Sequence, residues 1–177
     1  MEIRESAKSD FDKIMDINRA AFKSDEEPKL VADLFQDQSA KPLLSLVAIS
    51  NEEAVGHILF TKCRLVPKAN VSAVILAPLS VLPSHQRMGI GGELIKSGLK
   101  ILENRGVDLV FVLGHPSYYP MFGFKQAKPL GFDSPFPLCD SQINAWMVLE
   151  LRLGIIENTC GKVVCADQLN KPEYWQE

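Results

Sequence analysis

The sequence predicts a mixed α/β fold, organised as one domain over residues 1–177. Two amphipathic helical segments come first, and a pair of strands follows them. Between residues 71 and 113, a long apolar strand, an amphipathic helix and a second apolar strand then succeed one another. This is the order of a parallel strand–helix–strand unit. A chain of 177 residues is long enough to bury one core of its own.

The N-terminal part predicts a short strand and two helices. Residues 2–4 alternate in polarity like a strand, and Ser9, with Asp12 three residues later, has the spacing of a helix N-cap. Apolar residues then recur at helical spacing over 11–22 and again over 30–35. Each helix therefore has one apolar face with which to cover a sheet.

Strands dominate the middle of the chain. Residues 43–49 and 54–66 predict a hairpin, and residues 71–82 predict a long apolar strand. Pro78 interrupts that strand because it has no N–H for the ladder, so we expect a bulge or a lost neighbour there. The amphipathic helix that follows is expected to end at Gly106.

The remaining elements are shorter. Residues 107–113 are a near-continuous apolar run, typical of a strand buried on both faces. We expect a loop with a short helix over 116–121, a strand over 143–151 and a last strand near 162–166. No internal repeat or linker separates these elements.

Composition excludes several classes of protein. A net charge of −3, with no cluster of Lys or Arg, argues against a general nucleic-acid binder. The sequence shows neither a signal-peptide pattern nor an apolar run of about 18 residues, so we expect a cytoplasmic protein without a membrane span. No Cys-x-x-Cys pair suggests a metal site. Four cysteines are expected to be reduced core thiols: Cys63, Cys139, Cys160 and Cys165.

The motif at residues 86–91 is the part of the sequence that indicates a ligand-binding site. It lies where a strand ends and a helix begins, so its backbone N–H groups are unpaired donors. Gly89 and Gly91 lack a Cβ atom, which leaves a concave group of amides open to an anion. A diphosphate fits such a site. The residues of the motif are Gln86, Arg87, Met88, Gly89, Ile90 and Gly91.

Two of the usual diphosphate ligands do not match the motif. A dinucleotide site requires a third glycine, where this chain has Leu94, and an acidic residue ending the next strand, where it has Gly114 and His115. A Walker A loop requires Gly-Lys-Ser/Thr, which is absent. Coenzyme A remains as the expected ligand.

The Gln-x-x-Gly-x-Gly motif, between a strand and an amphipathic helix, resembles that of the GCN5-related N-acetyltransferases, the GNAT family. More narrowly, segments 76–81, 111–114 and 118–124 look like those of predicted bacterial acetyltransferases of the YhbS type. The resemblance implies a mostly antiparallel central sheet with a splayed parallel strand pair, flanked by helices. It also implies acetyl-CoA as cofactor, an amine of a small molecule or protein as acceptor, and direct attack in a ternary complex. The resemblance leaves open whether the protein forms a homodimer.

The resemblance assigns roles to particular positions. Three residues match the strand that offers backbone groups to the pantetheine arm: Leu79, Ser80 and Val81. Residues 86–91 match the pyrophosphate loop, and Tyr119 matches the tyrosine that protonates the leaving thiolate. His115 stands where YhbS-type proteins usually have Asp, and Met121 where they usually have Arg, so the contacts of those side chains do not carry over.

The general base is the open point of this assignment. Residues 71–82 carry neither a carboxylate nor a histidine, although a Glu on that strand is common in the family. Glu27, His57, His115 or a chain of water molecules are the candidates, and Glu27 is preferred because it lies in the family's acceptor-side helical region. His115, at the C-terminal end of a strand, is also expected to line the cofactor site.

The sequence predicts a position for the acceptor site and allows alternatives to catalytic activity. By the resemblance, the acceptor is expected between the first two helices and the late loop 132–137. A non-catalytic acyl-CoA-binding regulator would keep the loop at 86–91 but lack a base, which the missing strand carboxylate allows. A structural subunit with the same fold is a third alternative.

Overall fold

The structure, a computed structural model, describes residues 1–67 and 69–176. Within these residues the helices are α1 (Phe11–Phe22), α2 (Glu26–Gln36) and α3 (Ile90–Asn104). The strands are β1 (Glu2–Glu5), β2 (Leu44–Ser50), β3 (Glu53–Val66), β4 (Ala73–Val81), β5 (Leu109–Leu113), β6 (Lys125–Gln126), β7 (Phe132–Asp133), β8 (Trp146–Glu150) and β9 (Gly161–Val164). The predicted α/β class is confirmed.

The strands form a mostly antiparallel sheet in the order β1-β2-β3-β4-β5-β8-β6, and β9 pairs with the far end of β3 and with β7. In that order β4 and β5 are the parallel neighbours, in register from Ala73 with Leu109 to Leu76 with Val112. Beyond this point β5 ends, while β4 continues against β3 as far as Val81. The predicted splayed pair is confirmed, and it leaves a gap beside the end of β4.

The helices cover both faces of the sheet with their apolar sides. On one face, Ile14 of α1 and Leu34 of α2 pack in the same core as Phe111 of β5. On the other face, Leu94 of α3 packs in a second core with Phe60 of β3. The helical spacing of apolar residues correctly predicted that the helices cover the sheet, and the apolar run at 107–113 correctly predicted a strand buried on both faces.

Pro78 interrupts β4 as predicted. The register of β3 against β4 shifts between Ile58 and Phe60, opposite Pro78. An extra residue in one strand reverses which side chains point to which face beyond it. This shift determines which residues at the end of β4 face the gap.

Some predicted boundaries are wrong. The predicted cap at Ser9 is replaced by a short 3-10 turn, Lys8–Asp10, in which the Asp10 carboxylate accepts the N–H of Ala7 at 2.7 Å. The strand predicted over 143–151 begins only at Trp146, and the short helix predicted over 116–121 is a 3-10 turn, Tyr119–Phe122. Short turns have too few residues to produce a periodic signal.

The thiols divide into two groups. Cys63 and Cys165 are buried, and burial raises the pKa of both, whereas Cys139 and Cys160 are exposed. The prediction of core thiols is therefore right for two cysteines and wrong for the other two. Across residues 1–67 and 69–176, the helices include none with the length and apolar character of a membrane span.

Candidate active site

A groove runs through the gap where β4 and β5 separate. One end is a cavity of about 340 Å³ at the loop 85–92, and the other is a cavity of about 440 Å³ lined in part by Glu27 and Tyr119. Leu79 and Tyr118 line both cavities, so the two are neighbours along one path. We refer to them as the loop cavity and the inner cavity.

The loop cavity presents unpaired backbone donors. The first hydrogen bond of α3 runs from the Glu93 N–H to the Gly89 carbonyl, at 3.1 Å. The N–H groups of the residues between them therefore have no acceptor within the helix. Arg87 and Gly89 both have positive φ, 62° and 84°, a conformation that turns successive N–H groups toward one side. Together with the helix dipole, these donors suit an anion.

Glycine at position 91 leaves room for a side chain that the sequence analysis did not single out. A Cβ atom on Gly91 would lie 2.9 Å from the hydroxyl oxygen of Tyr118. Tyr118 is half-buried, its pKa is raised by burial, and its ring packs edge-on against Phe122 at 5.3 Å. The aromatic run at 118–124 thus closes over the loop as well as lining the inner cavity.

The end of β4 turns part of its backbone toward the groove. The Leu82 N–H donates to the Val55 carbonyl of the neighbouring strand at 2.8 Å. Bonded and non-bonded pairs alternate along an antiparallel ladder, so the backbone groups of Leu79 and Val81 point away from β3 and into the gap. In agreement, the side-chain amide of Gln86 donates to the Val81 carbonyl at 3.0 Å.

Two residues predicted for the cofactor site do not line it. By the same alternation the backbone of Ser80 faces β3, and its buried side chain donates a hydrogen bond to the carbonyl of His57 at 3.5 Å. The Met88 side chain is 68% exposed and lies outside both cavities. The other predicted residues of the loop do line the loop cavity: Gln86, Arg87, Gly89, Ile90 and Gly91.

Tyr119 lies on the wall of the inner cavity. It begins the 3-10 turn after β5, is 8% exposed, and packs edge-on against Tyr118 at 5.2 Å and Phe124 at 5.6 Å. Burial raises its pKa, so the phenol keeps its proton at neutral pH. Gly114 makes room for the ring, because a Cβ atom there would lie 2.3 Å from Tyr119 Cε2.

Glu27 lies on the same cavity, in the first turn of α2. Its Oε2 atom is buried and has no hydrogen-bond partner among the described residues. A buried acceptor without a partner costs about 1–3 kcal/mol, and more when it is charged. The site is therefore suited to a donor that arrives with a ligand. His115, which is exposed, lies on the rim of this cavity.

His57 is not available as a base in this groove. It is completely buried between the sheet and α1, with Asn18 Nδ2 at 3.3 Å from Nδ1 and Ser45 Oγ at 2.9 Å from Nε2. Burial lowers its pKa to about 3. It belongs to neither cavity, and it is a packed core histidine.

The C-terminal segment supplies a wall of the inner cavity that the sequence analysis missed. Leu169, Tyr174 and Trp175 line it, and Trp175 is fixed by a hydrogen bond from its Nε1 to the Leu169 carbonyl at 3.0 Å. The late loop 132–137, which was predicted for this position, contributes to a separate cavity beside Lys128. This segment has no periodic pattern of apolar residues. The adjacent aromatic residues at 174 and 175 were the signal that could have indicated its role.

Comparison with known proteins identifies relatives that cover most of the chain. A family model described as an acetyltransferase (GNAT) domain matches residues 2–127. The N-acetyltransferase YjhQ of Escherichia coli (strain K12), itself named as uncharacterised, is 41% identical over 162 residues, which is 90% of this chain and 89% of YjhQ.

Solved structures give the same result. The crystal structure of the GNAT N-acetyltransferase YhbS from Escherichia coli in complex with CoA superposes with a TM-score of 0.88 at 29% identity, over 96% of this chain and 92% of that one. A GNAT acetyltransferase from Brucella melitensis in complex with acetyl-CoA superposes with a TM-score of 0.76 at 27% identity, over 95% and 97%.

Proposed function

The chain belongs to the GNAT acetyltransferase family and is an acetyl-CoA-dependent acyltransferase, and from this premise we propose that it transfers an acetyl group to the nitrogen of an amine held beside Glu27. The proposal rests on one observation above all. A single groove joins a set of backbone donors suited to a diphosphate with a cavity that holds a protonated tyrosine and an unpaired carboxylate oxygen.

The residues of the groove fit coenzyme A. The N–H groups at the start of α3 suit its diphosphate, and the space beside Gly89 is open, since a Cβ atom there would meet no atom within 4 Å. The outward-facing backbone of Leu79 and Val81 suits the amides of a pantetheine arm passing through the gap. The CoA and acetyl-CoA bound to YhbS and to the Brucella enzyme support this use of the groove.

When bound, acetyl-CoA supplies an activated thioester, and its reaction with an ammonium ion gives an amide, the CoA thiol and one proton. An alkyl ammonium has a pKa of about 10.4 and must lose a proton before its nitrogen can react. We assign that proton to the carboxylate of Glu27, directly or through water, and from there to solvent. Carboxylates are also strong acceptors for ammonium hydrogen bonds.

We assign the second proton transfer to Tyr119. Its hydroxyl gives a proton to the departing sulfur and recovers the one that nitrogen loses on becoming an amide. A raised pKa is compatible with this role because the group must be protonated when sulfur leaves. A free N–H near the end of β4, as at Leu79 or Val81, is suited to polarise the thioester carbonyl.

The test combines cofactor binding with turnover. The affinity for CoA is measured by calorimetry, and thiol release from acetyl-CoA is followed over a panel of amines. Tyr119→Phe is expected to lower kcat by about 10²-fold or more while leaving the CoA affinity unchanged. Tight CoA binding with no thiol release for any amine would instead favour a non-catalytic acyl-CoA-binding regulator.

A matched pair of variants tests the role of Glu27. Glu26 and Glu27 are neighbours in the first turn of α2, but only Glu27 lines the inner cavity. Glu27→Gln is expected to lower kcat/KM for the amine by about 10²-fold, and Glu26→Gln by less than about twofold. Equal effects of the two substitutions would remove Glu27 from the mechanism.

A further inference from the structure

The inner cavity has a simple charge pattern. Within the described part of the chain, Glu27 is the one acidic side chain that lines it, and no Lys or Arg does. The other lining side chains are apolar or aromatic, among them Phe22, Leu30, Leu169, Tyr174 and Trp175, except for His115 on the exposed rim. One carboxyl group therefore lies in a pocket whose walls, apart from the imidazole at the rim, are apolar or aromatic.

This pattern discriminates between kinds of amine. The unpartnered Oε2 of Glu27 can accept from one ammonium group. A carboxylate or phosphate on the same molecule would be brought among apolar walls that carry no Lys or Arg, with His115 only at the exposed rim, which is costly. A second ammonium group would likewise find no second carboxylate on the lining of the cavity. The cavity thus favours an acceptor with a single charge.

The walls and the volume define the rest of the molecule. Tyr174 and Leu169 offer apolar surface to the cavity, and burial of such surface stabilises a bound molecule. The cavity measures about 440 Å³, and its β4 side must also take the acetyl end of the cofactor. The space left for the acceptor suits a small compact body.

We propose that the acceptor is a small primary monoamine with an aromatic or branched apolar body and no acidic group, its nitrogen at Glu27 and its body against Leu169 and Tyr174. This inference rests on the proposed transfer function and narrows it to one class of amine. It also makes the C-terminal segment the element that determines acceptor specificity.

The test uses the wild-type protein and substrates that differ by one group. Thiol release is measured with 2-phenylethylamine and with phenylalanine, which adds only a carboxylate to the same body. We expect kcat/KM to be at least about 100-fold higher for 2-phenylethylamine, because an unpaired charge in an apolar site is strongly rejected. Spermidine and a lysine-containing peptide complete the panel, and both are expected to be poorer substrates than 2-phenylethylamine.

Variants then locate the specificity. Tyr174→Ala is expected to raise KM for 2-phenylethylamine about tenfold through lost apolar contact, with KM for acetyl-CoA unchanged. Leu153→Ala, a truncation at a side chain that is 95% exposed and outside the groove, is the control. If Tyr174→Ala leaves KM for the amine unchanged, the C-terminal segment does not hold the acceptor.

The outcomes separate the two proposals. Acetylation of phenylalanine, spermidine or the peptide as efficiently as 2-phenylethylamine would overturn the monoamine inference and leave the transfer function standing. CoA binding without acetylation of any of the four compounds would overturn the transfer function itself. The comparison of substrates needs no variant, so it remains decisive even if Tyr174→Ala fails to fold.

Discussion

Mild acid is expected to destabilise this protein through one residue, His57. The side chain is completely buried, and burial lowers its pKa from 6.5 to about 3. Between those two values the unfolded chain binds a proton at this position and the folded protein does not. The free energy of unfolding is therefore fully retained above about pH 6.5 and falls as the pH drops through and below that value.

The magnitude follows from the shift in pKa. Each pH unit below the unfolded-state pKa removes about 1.4 kcal/mol, so about 2 kcal/mol is lost by about pH 5. Asp10 and Asp37 have lowered pKa values, so the stability that they contribute is present above their ordinary value of 3.8 and is lost only at lower pH. The interval from about pH 5 to about pH 7 therefore isolates histidine titration.

The assay is urea unfolding over that interval for the wild type, His57→Gln and His85→Gln. His57→Gln is expected to be less stable at neutral pH because it loses a packed ring, but its free energy of unfolding should change by less than about 0.5 kcal/mol across the interval. His85→Gln, a substitution outside the core, should retain the wild-type slope. A flat wild-type curve, or an unchanged slope in His57→Gln, would refute the reasoning.

Three glycine substitutions test the geometry of the groove and the core. Gly91→Ala, whose Cβ would lie 2.9 Å from the Tyr118 hydroxyl, is expected to weaken CoA binding about tenfold in calorimetry, and unchanged affinity would contradict the assignment of the loop cavity. Gly114→Ala, whose Cβ would lie 2.3 Å from the ring of Tyr119, should displace that ring and so lower kcat more than it changes KM for acetyl-CoA. Steady-state kinetics measures both constants, and a change in KM alone would contradict this expectation. Gly98→Ala would bring a Cβ within 2.5 Å of a phenylalanine ring and should reduce the free energy of unfolding by about 1–3 kcal/mol in urea, whereas full stability would mean that α3 can shift away from the sheet.

The part of the site that is built from backbone could be predicted from the sequence. Glycines at 89 and 91 after an apolar strand indicate unpaired donors at a helix start, and Pro78 indicates an interrupted ladder. Both expectations depend on local chemistry, which neighbouring residues determine. The strand–helix–strand order then placed these two features side by side, as the structure has them.

The orientation of individual side chains could not be predicted in the same way. Ser80 lies between two residues that face the groove, but the register shift opposite Pro78 and the alternation of the ladder turn it toward β3 and His57. Met88 is exposed although its neighbours line the loop cavity. Such facing depends on the exact register of a strand and the dihedral angles of a loop, which a pattern of residue types does not contain.

Contacts between segments that are distant in sequence could not be predicted either. Leu169 and Tyr174 line the same cavity as Glu27, although more than half of the chain separates them from it in sequence. The segment that contains them has no repeating pattern. The same applies to Tyr118, whose place over Gly91 results from the 3-10 turn after β5. Sequence periodicity describes elements one at a time and does not describe how irregular segments pack.

Two stretches of polypeptide contribute to the groove. The loop cavity and Tyr119 come from residues inside the segment that the family model matches, whereas Leu169, Tyr174 and Trp175 come from residues outside it. Leu169 and Trp175 also pack in the core of the protein, whereas Tyr174 is only partly buried. A substitution at Tyr174 is therefore expected to change the wall of the inner cavity while the loop cavity and Tyr119 stay the same, so new selectivity can evolve here without rebuilding the reaction machinery.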